Sequence, residues 1–249
     1  MSAKSNPEPA ASSGEISVAQ LKHWDDWNSK YRQPDTIDAP SKRRMSEVLS
    51  ALSQLKLRGA KILEIGCGTG WLSSRLTEFG AVTAVDLAVE VIRVAKEQIP
   101  QIDFRSGDIM EIDLPTNYFD VIVTLETFSH VSSQAKFIAR MAELLNADGH
   151  LVLTTQNKFV FKRRSGVVQN PTYTRRWVTM RELKRLAVSK FSILRATSLE
   201  PDGHLGVLRV INSSKLNRLL GAMVGPENLR KWKESLGFGQ TLFVVAVKR

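Results

Sequence analysis

Short apolar runs of strand length alternate along this chain with longer segments in which apolar residues recur every three or four positions. The runs predict buried strands, and the periodic segments predict helices that bury one face. Because strand and helix alternate repeatedly, we predict an α/β fold with a doubly wound, mostly parallel sheet. We expect strands at residues 62–65, 81–86, 104–108 and 150–155 and within 118–131, and helices at 16–30, 41–57, 88–98 and 132–145, with one more after residue 70 that ends near residue 80.

The first predicted strand runs directly into three glycines at alternate positions, Gly66, Gly68 and Gly70. Glycines allow φ > 0 and close approach of a ligand to the backbone, and the first N–H groups of the following helix point at that ligand. A dinucleotide fingerprint would need a further glycine at position 71, where Trp71 stands. The spacing therefore predicts a nucleotide-cofactor loop of another kind.

Two carboxylates follow the next two predicted strands. Asp86 ends the second apolar run, at the strand edge where ligands of open α/β sheets bind, and its two oxygens can accept both hydroxyls of a ribose. Asp108 ends the third run. Each also has an ordinary interpretation, Asp86 as a helix N-cap and Asp108 as a turn residue with an Asx bond.

Together with residues 118–131, these features resemble the class I S-adenosylmethionine (SAM) dependent methyltransferases, and the last segment is similar to that of the small-molecule, ubiquinone-type members. The resemblance implies a seven-stranded Rossmann-like sheet with an antiparallel edge hairpin, and it implies SAM as cofactor. It also implies that Asp108 accepts a hydrogen bond from the adenine amino group. The cofactor residues that we predict are Glu64, Gly66, Cys67, Gly68, Gly70, Asp86, Leu87, Asp108, Ile109 and Leu125.

Beyond residue 156 the resemblance is generic. We predict a helix at 180–189, hairpin strands at 191–198 and 242–247, and helices at 213–223 and 226–236 within the connection 201–240. The predicted domain organisation is a disordered tail (1–14), a helical N-terminal lid (15–57) and a methyltransferase domain (58–249) with substrate-side insertions at about 158–178 and 201–240.

Methyl transfer from a sulfonium requires mainly that the acceptor be positioned and water excluded, and a general base matters for hydroxyl acceptors. The candidates for catalytic residues are His130, Glu126 beside it, and His204 in a glycine-flanked loop. His130 could instead anchor its loop. We predict no metal site, because the chain has no HExxH motif and no cluster of histidines and cysteines.

The charge of the chain is uneven. The net charge is +10, but residues 1–157 carry 16 basic and 20 acidic side chains, whereas residues 158–249 carry 19 and 5. With 43% hydrophobic residues the chain can bury a substantial core, and its single cysteine, Cys67, excludes an internal disulfide. No apolar run reaches bilayer length and the start is polar, so we expect a cytosolic protein.

Arginine forks bind carboxylate or phosphate in a bidentate manner, so the basic insertions favour a small anionic acceptor. The candidates for substrate binding are Tyr31, Arg32, Arg175, Arg176 and Arg209. A solvated surface is the ordinary explanation for the same arginines.

The function that we predict is methyl transfer to an oxygen or nitrogen of a small molecule. Two alternatives stay open: an RNA or protein methyltransferase that uses the basic C-terminal half, and a noncatalytic SAM-binding subunit. Contact with a membrane surface is a further option, suggested by residues 159–164 and 216–232, and the oligomeric state is not predicted.

Overall fold

The computed structural model describes residues 18–31, 36–166 and 175–249. Seven strands form one sheet in the order β3-β2-β1-β4-β5-β7-β6, in which β7 runs antiparallel to both of its neighbours. The strands are β1 (Ala60–Ile65), β2 (Gly80–Asp86), β3 (Asp103–Ser106), β4 (Phe119–Leu125), β5 (Leu145–Gln156), β6 (Phe191–Pro201) and β7 (Gly239–Lys248). The predicted seven-stranded, mostly parallel α/β fold is confirmed.

Helices cover both faces of this sheet, as the alternation of apolar strands and amphipathic helices requires. The helices are α1 (Val18–Tyr31), α2 (Ala39–Gln54), α3 (Ser73–Leu76), α4 (Val89–Gln98), α5 (Gln134–Leu144), α6 (Lys158–Phe161), α7 (Met180–Ala187), α8 (Val207–Ile211), α9 (Ser214–Val224) and α10 (Pro226–Ser235). The predicted tail 1–14 and Arg32 lie outside the described residues.

The core lies in two apolar layers, one on each side of the sheet. Neighbouring residues of β1 face opposite layers: Leu63 packs with Phe137 and Met141 of α5, and Ile62 packs with Leu52 of α2. All five of these side chains are fully buried. Burial on both faces explains why the sequences of the central strands are continuously apolar and do not alternate between apolar and polar residues.

Several predicted boundaries are wrong. The helix after the glycine loop is only Ser73–Leu76 and does not extend to residue 80. The Ser74 and Thr77 hydroxyls donate to the Trp71 and Ser74 carbonyls at 3.1 and 2.7 Å, which competes with regular helical bonding and leaves short turns up to Phe79.

Two strand ends also differ from the prediction. Strand β5 begins at Leu145, five residues early, because Leu145 pairs with Phe119 of β4 before a register shift. Strand β3 ends at Ser106, so Asp108 lies in the turn beyond it. The short helices α6 and α8 were not predicted.

None of the described helices is both long enough and apolar enough to cross a bilayer. The cytosolic location stays a prediction.

Candidate active site

The order of the strands places a crevice beyond the carboxyl end of β1. Strand β1 pairs with β2 on one side and with β4 on the other, so the chain connections leave in opposite directions at this point. Ligands of open α/β sheets bind at such a switch point. The three glycines of the loop follow β1 directly, and the loop after β4 lies beside them.

All three loop glycines adopt the left-handed conformation, with φ of +77°, +54° and +76° at Gly66, Gly68 and Gly70. Each also has a close neighbour. A Cβ atom on Gly66 would lie 1.9 Å from Thr127 Oγ1, and one on Gly68 would lie 2.5 Å from Asn28 Oδ1. Glycine is therefore required here both by the backbone conformation and by the space available.

Asp86 is held by two backbone donors at the tip of β2. Its Oδ2 accepts from the Gly68 N–H at 2.8 Å and its Oδ1 from the Ala88 N–H at 2.9 Å. Burial raises the pKa of this carboxyl group, and the two backbone hydrogen bonds oppose that rise. The N-cap position of α4 is Ala88, so the N-cap interpretation of Asp86 is wrong, whereas the Gly68 bond links Asp86 to the glycine loop. Each oxygen keeps a second lone pair for a hydroxyl.

A buried acid lies beneath the loop. Glu64 is 2% exposed and its Oε2 accepts a hydrogen bond from the Ser73 hydroxyl. Burial raises the pKa of Glu64 to about 8, the Ser73 bond opposes this, and the Asp86 charge adds to it. Burial also raises the pKa of the neighbouring Cys67 thiol, which fits a packing role and not a nucleophile.

Asp108 and Ile109 form the turn after β3. Asp108 Oδ1 accepts from the Met110 N–H at 2.9 Å, the Asx bond that was the ordinary interpretation, and this leaves its other oxygen for a ligand. The Ile109 side chain is 6% exposed and packs in the core, so a cofactor would meet its backbone. Leu87 and Leu125, the other apolar cofactor candidates, are partly exposed at the same edge.

Helix α1 lies over the glycine loop. The Asn28 side chain contacts Gly68 and donates to the Trp24 carbonyl at 3.0 Å, and it is only 6% exposed. Asp25 Oδ1 accepts from the N–H groups of Glu90 and Val91 at 3.2 and 3.3 Å, so it caps the first turn of α4, which has no cap of its own. Sequence reasoning missed Asn28 and Asp25, since no local pattern distinguishes them from other polar helix positions.

The loop after β4 carries the predicted catalytic residues to the glycine loop. Thr127 Oγ1 donates to the Ile65 carbonyl at 3.2 Å, which ties this loop to the end of β1. Glu126 has a φ of +58°, and its Oε1 accepts from the buried Thr154 hydroxyl at 3.0 Å. The His130 ring meets Trp24 of α1 edge-on, with 4.8 Å between the ring centroids. Glu126 and His130 therefore flank the crevice.

The insertion after β5 closes over the same loop. Trp177 Nε1 donates to Gln156 Oε1 at 2.7 Å, and the Arg176 N–H donates to the Ser129 carbonyl at 2.7 Å. Arg176 also uses its Nη1 to donate to the Ser132 carbonyl at 2.6 Å. Its guanidinium thus fixes the loop and is a weaker candidate for binding substrate than the sequence suggested.

Charged and amide side chains connect α2 with the end of β6 and the start of β7. Glu200 forms an ion pair with Arg44 of α2 at 3.2 Å and accepts from Gln240 Nε2 at 3.0 Å, whereas its Oε1 is buried with no hydrogen-bond partner. Gln240 Oε1 in turn accepts from Arg164, which pairs with Asp202 at 3.3 Å. Burial raises the pKa of Glu200, the Arg44 charge opposes this, and the Glu126 charge adds to it.

The other predicted residues are dispersed. His204 is exposed, and its Nε2 lies 2.7 Å from the Ser165 hydroxyl of the first insertion, so the structure does not place it with His130. Arg209 is exposed on α8, and Tyr31 is 46% exposed at the end of α1. Arg175 lies near α1: burial lowers the pKa of His23, and the Arg175 charge lowers it further. The described residues include no cluster of three His, Cys, Asp or Glu that could hold a metal ion.

Residues 37–221 match a family model described as a methyltransferase domain. The chain belongs to this family. The family consists of class I SAM-dependent methyltransferases, so the predicted family and the predicted cofactor are confirmed. The matched residues begin after α1, so the helix over the glycine loop lies outside them.

Two curated relatives are ubiquinone biosynthesis O-methyltransferases. The protein from Xanthomonas oryzae pv. oryzae is 37% identical over 112 residues, which are 43% of this chain and 47% of the relative. The mitochondrial protein from Schizosaccharomyces pombe is 32% identical over 163 residues, 59% of this chain and 58% of the relative. The chain thus matches about half the length of these relatives.

Among solved structures, the N-methyltransferase NodS from Bradyrhizobium japonicum, in complex with S-adenosylhomocysteine, has a TM-score of 0.63 at 16% identity. The alignment covers 94% of this chain and 99% of NodS. At this identity the likeness shows the fold alone.

The residues at the crevice fit SAM. Two left-handed glycines bring the loop backbone to Asp86, whose oxygens each retain a lone pair. A half-buried carboxylate of this kind would hold the ribose hydroxyls, and Asp108 would hold the adenine amino group through its remaining oxygen. Trp71 stands where a dinucleotide-binding loop would have its third glycine, so the loop does not match the pattern that binds a pyrophosphate.

Proposed function

We propose that this protein transfers the methyl group of SAM to a hydroxyl oxygen of a small molecule. The observation that supports the proposal is the hydrogen bond from Thr127 to the end of β1, because it holds the loop that carries Glu126 and His130 beside the glycine loop. The printed names of the relatives, O-methyltransferases, support oxygen as the acceptor atom.

When bound, SAM supplies a methyl group that its sulfonium has already activated. The residues of this chain would then position the acceptor, exclude water and remove a proton. The His130 ring is oriented by the Trp24 edge and Glu126 by the Thr154 hydroxyl, so both are held rigidly. We propose His130 as the group that takes the hydroxyl proton, with Glu126 beside it to orient the acceptor.

The arginines that were predicted to bind an anionic acceptor have different surroundings. Arg176 is engaged with a loop carbonyl and Arg209 lies exposed on α8, but Arg175 lies on the side of α1, near His23. We therefore propose Arg175 as the residue that would bind an acidic group of the acceptor. The Glu200 oxygen without a partner would accept a hydrogen bond from a second acceptor hydroxyl.

The test is a methylation assay of the purified protein with SAM and a panel of acceptors: catechols and phenols with and without a carboxylate, matched amines, and RNA. Mass spectrometry of the products identifies the methylated atom. We expect hydroxyl methylation, a preference for the carboxylated phenols, and loss of that preference in Arg175→Gln. Methylation of RNA or of amines alone would overturn the proposal.

A variant tests the base. His130→Gln should lower kcat for a phenol by roughly a hundredfold, because a positioned base contributes about that factor or more, with the affinity for S-adenosylhomocysteine unchanged. His150→Gln is the matched control, since His150 pairs with Val121 near the start of β4, away from the carboxyl ends of the strands at the crevice. An unchanged kcat in His130→Gln would leave His130 only its role as a loop anchor.

A further inference from the structure

The connection between β6 and β7 forms a helical cap of unusual exposure. The cap is defined by α8, α9 and α10. It begins after Pro201 and ends before Gly239, which pair with each other at the carboxyl edge of the parallel strands, so the cap starts and ends at the edge that holds the cofactor crevice. Helix α9 has eleven residues, and none of them is buried.

The exposed side of α9 is apolar as well as basic. Leu219 and Met223, one turn apart, are 62% and 74% exposed, and Lys215 lies one turn before Leu219 in the same row. Arg218 lies beside that row. The opposite side of α9 faces α10, where the Lys233 ammonium donates to Asn217 Oδ1 at 2.5 Å.

Helix α10 also exposes apolar side chains. Trp232 and Leu236 are 60% and 53% exposed and lie one turn apart, next to the Lys233 that contacts α9. Leu229, one turn before Trp232, is only 5% exposed, so the exposed apolar residues of α10 lie toward its C-terminal end. We call the exposed α9 residues Lys215, Arg218, Leu219 and Met223 the cap face.

The first insertion, which also suggested a membrane contact from its sequence, is different. Val160 is fully buried, Phe159 packs against Phe238 with 6.2 Å between centroids, and Phe161 packs against Trp177 at 5.2 Å. Phe159, Phe161 and Trp177 thus pack within the protein. The exposed apolar surface of this half of the molecule is concentrated on the cap.

The charge of the cap selects the kind of partner. Residues 205–226, which include α8 and α9, contain three basic side chains, Arg209, Lys215 and Arg218, and no acidic one, and α10 adds three basic and two acidic side chains. The three basic side chains of α8 and α9 are exposed. A second copy of the chain would bring like charges together, and the phosphates of RNA would leave Leu219 and Met223 without an apolar partner. An anionic lipid surface satisfies both the cations and the aliphatic side chains.

We propose that the cap face docks on an anionic membrane surface, with Leu219 and Met223 inserted among the lipids and Lys215 and Arg218 at the headgroups. Docking in this way places the carboxyl edge of the sheet at the bilayer. An amphiphilic acceptor could then enter the crevice from the lipid. The docking does not depend on the methyl transfer proposed above and can be measured without it.

The experiment is co-sedimentation of the full chain with phosphatidylcholine vesicles that contain about one third phosphatidylserine, at low ionic strength. Two cap variants separate the contributions: Leu219→Gln with Met223→Gln, and Lys215→Gln with Arg218→Gln. A matched charge control is Arg181→Gln with Arg185→Gln, an exposed pair one turn apart on α7. An apolar control is Val188→Gln, which is 48% exposed just after α7. Thermal unfolding and binding of S-adenosylhomocysteine confirm that each variant is folded.

We expect the unmodified chain to bind anionic vesicles and to stay in solution with pure phosphatidylcholine. Each cap variant should bind at least tenfold more weakly, and each control should stay within twofold. Failure of the unmodified chain to bind anionic vesicles would overturn the proposal. Equal losses in the α7 charge control would overturn it too, because they would reveal a general attraction of a basic protein. Strong binding of single-stranded RNA in place of vesicles would instead identify the cap as a nucleic-acid surface.

Discussion

The two ends of the carboxyl edge hold their polar side chains in different ways. On the cofactor side, Asp86 and Asp108 accept hydrogen bonds from backbone N–H groups close by in sequence or in the glycine loop. On the side where we propose that the acceptor binds, which we call the acceptor side, Glu200 and Gln240 are held by other side chains, from Arg44 and Arg164. A site built on backbone donors tolerates little change, whereas a network of side chains can be rebuilt by substitution. The cofactor side is thus fixed by the fold, and the acceptor side is where members of one family can differ.

The largest expected effect comes from the steric space around Gly66 in the glycine loop. Gly66→Ala places a Cβ atom 1.9 Å from Thr127 Oγ1 at a φ of +77°, so we expect a loss of about 2 to 5 kcal/mol in stability and no detectable binding of S-adenosylhomocysteine by calorimetry. Gly59→Ala is the control, because Gly59 has a similar φ of +58° and no atom within 4 Å. It should cost only about 1 to 2 kcal/mol and leave binding intact. Equal losses in the two variants would mean that φ alone, and not space, constrains the loop.

The next effect is a pH dependence from Glu64. Its pKa is about 8 in the folded protein against an ordinary value of 4.5, so between these pH values the folded state holds a proton that the unfolded state has released. The stabilisation is complete below the unfolded pKa and is lost as pH rises through the folded one, a decrease on the order of a few kcal/mol. Urea unfolding at pH 5 and pH 8 should show this decrease, and Glu64→Gln should flatten it. The exposed control Glu78→Gln should keep the slope of the unmodified protein.

A smaller effect is expected at the ribose site. Asp86→Ala should weaken S-adenosylhomocysteine binding by about 1 to 3 kcal/mol through lost hydrogen bonds to the hydroxyls. Asp103→Ala removes an exposed carboxylate from the next strand and should not change the affinity. Calorimetric titration of the two variants compares them. Unchanged affinity in Asp86→Ala would remove this residue from the cofactor site.

The smallest effect tests the acceptor side. Glu200→Gln keeps an oxygen toward Gln240 but loses the charge that pairs with Arg44, so we expect KM for a phenolic acceptor to rise about fivefold, near 1 kcal/mol. The affinity for S-adenosylhomocysteine should not change. Glu227→Gln, at the start of α10, is the matched control. A fall in cofactor affinity with an unchanged KM would show that the two sides of the edge are not separate.

The sequence predicts the cofactor side well because the interactions that build it are local. Gly66, Gly68 and Asp86 lie on or beside apolar strands whose pattern is clear, and their order alone indicates what they do together. The turn after β3 is equally local, so Asp108 could be placed to within two residues of the strand end.

The acceptor side could not be predicted in the same way. The ion pair of Arg44 with Glu200 joins residues far apart in sequence, and no periodicity marks it. On the cofactor side, the contact of Asn28 with Gly68 was missed for the same reason. Arg176 was predicted to bind substrate, but its guanidinium donates a hydrogen bond to the Ser132 carbonyl. His204 was predicted to be catalytic, but its ring contacts the Ser165 hydroxyl. In each case the packing of an insertion decides the role of the residue.

Asp25 has a consequence for turnover. By accepting from two amides at the start of α4, it fastens α1 to the body of the protein, while Asn28 lies against Gly68 and Trp24 against His130. We propose that α1 lifts when the spent cofactor leaves, which would break these bonds together. The strength of this fastening therefore competes with the speed of product release: a helix that closes the crevice more tightly protects the reaction from water and also lengthens each cycle.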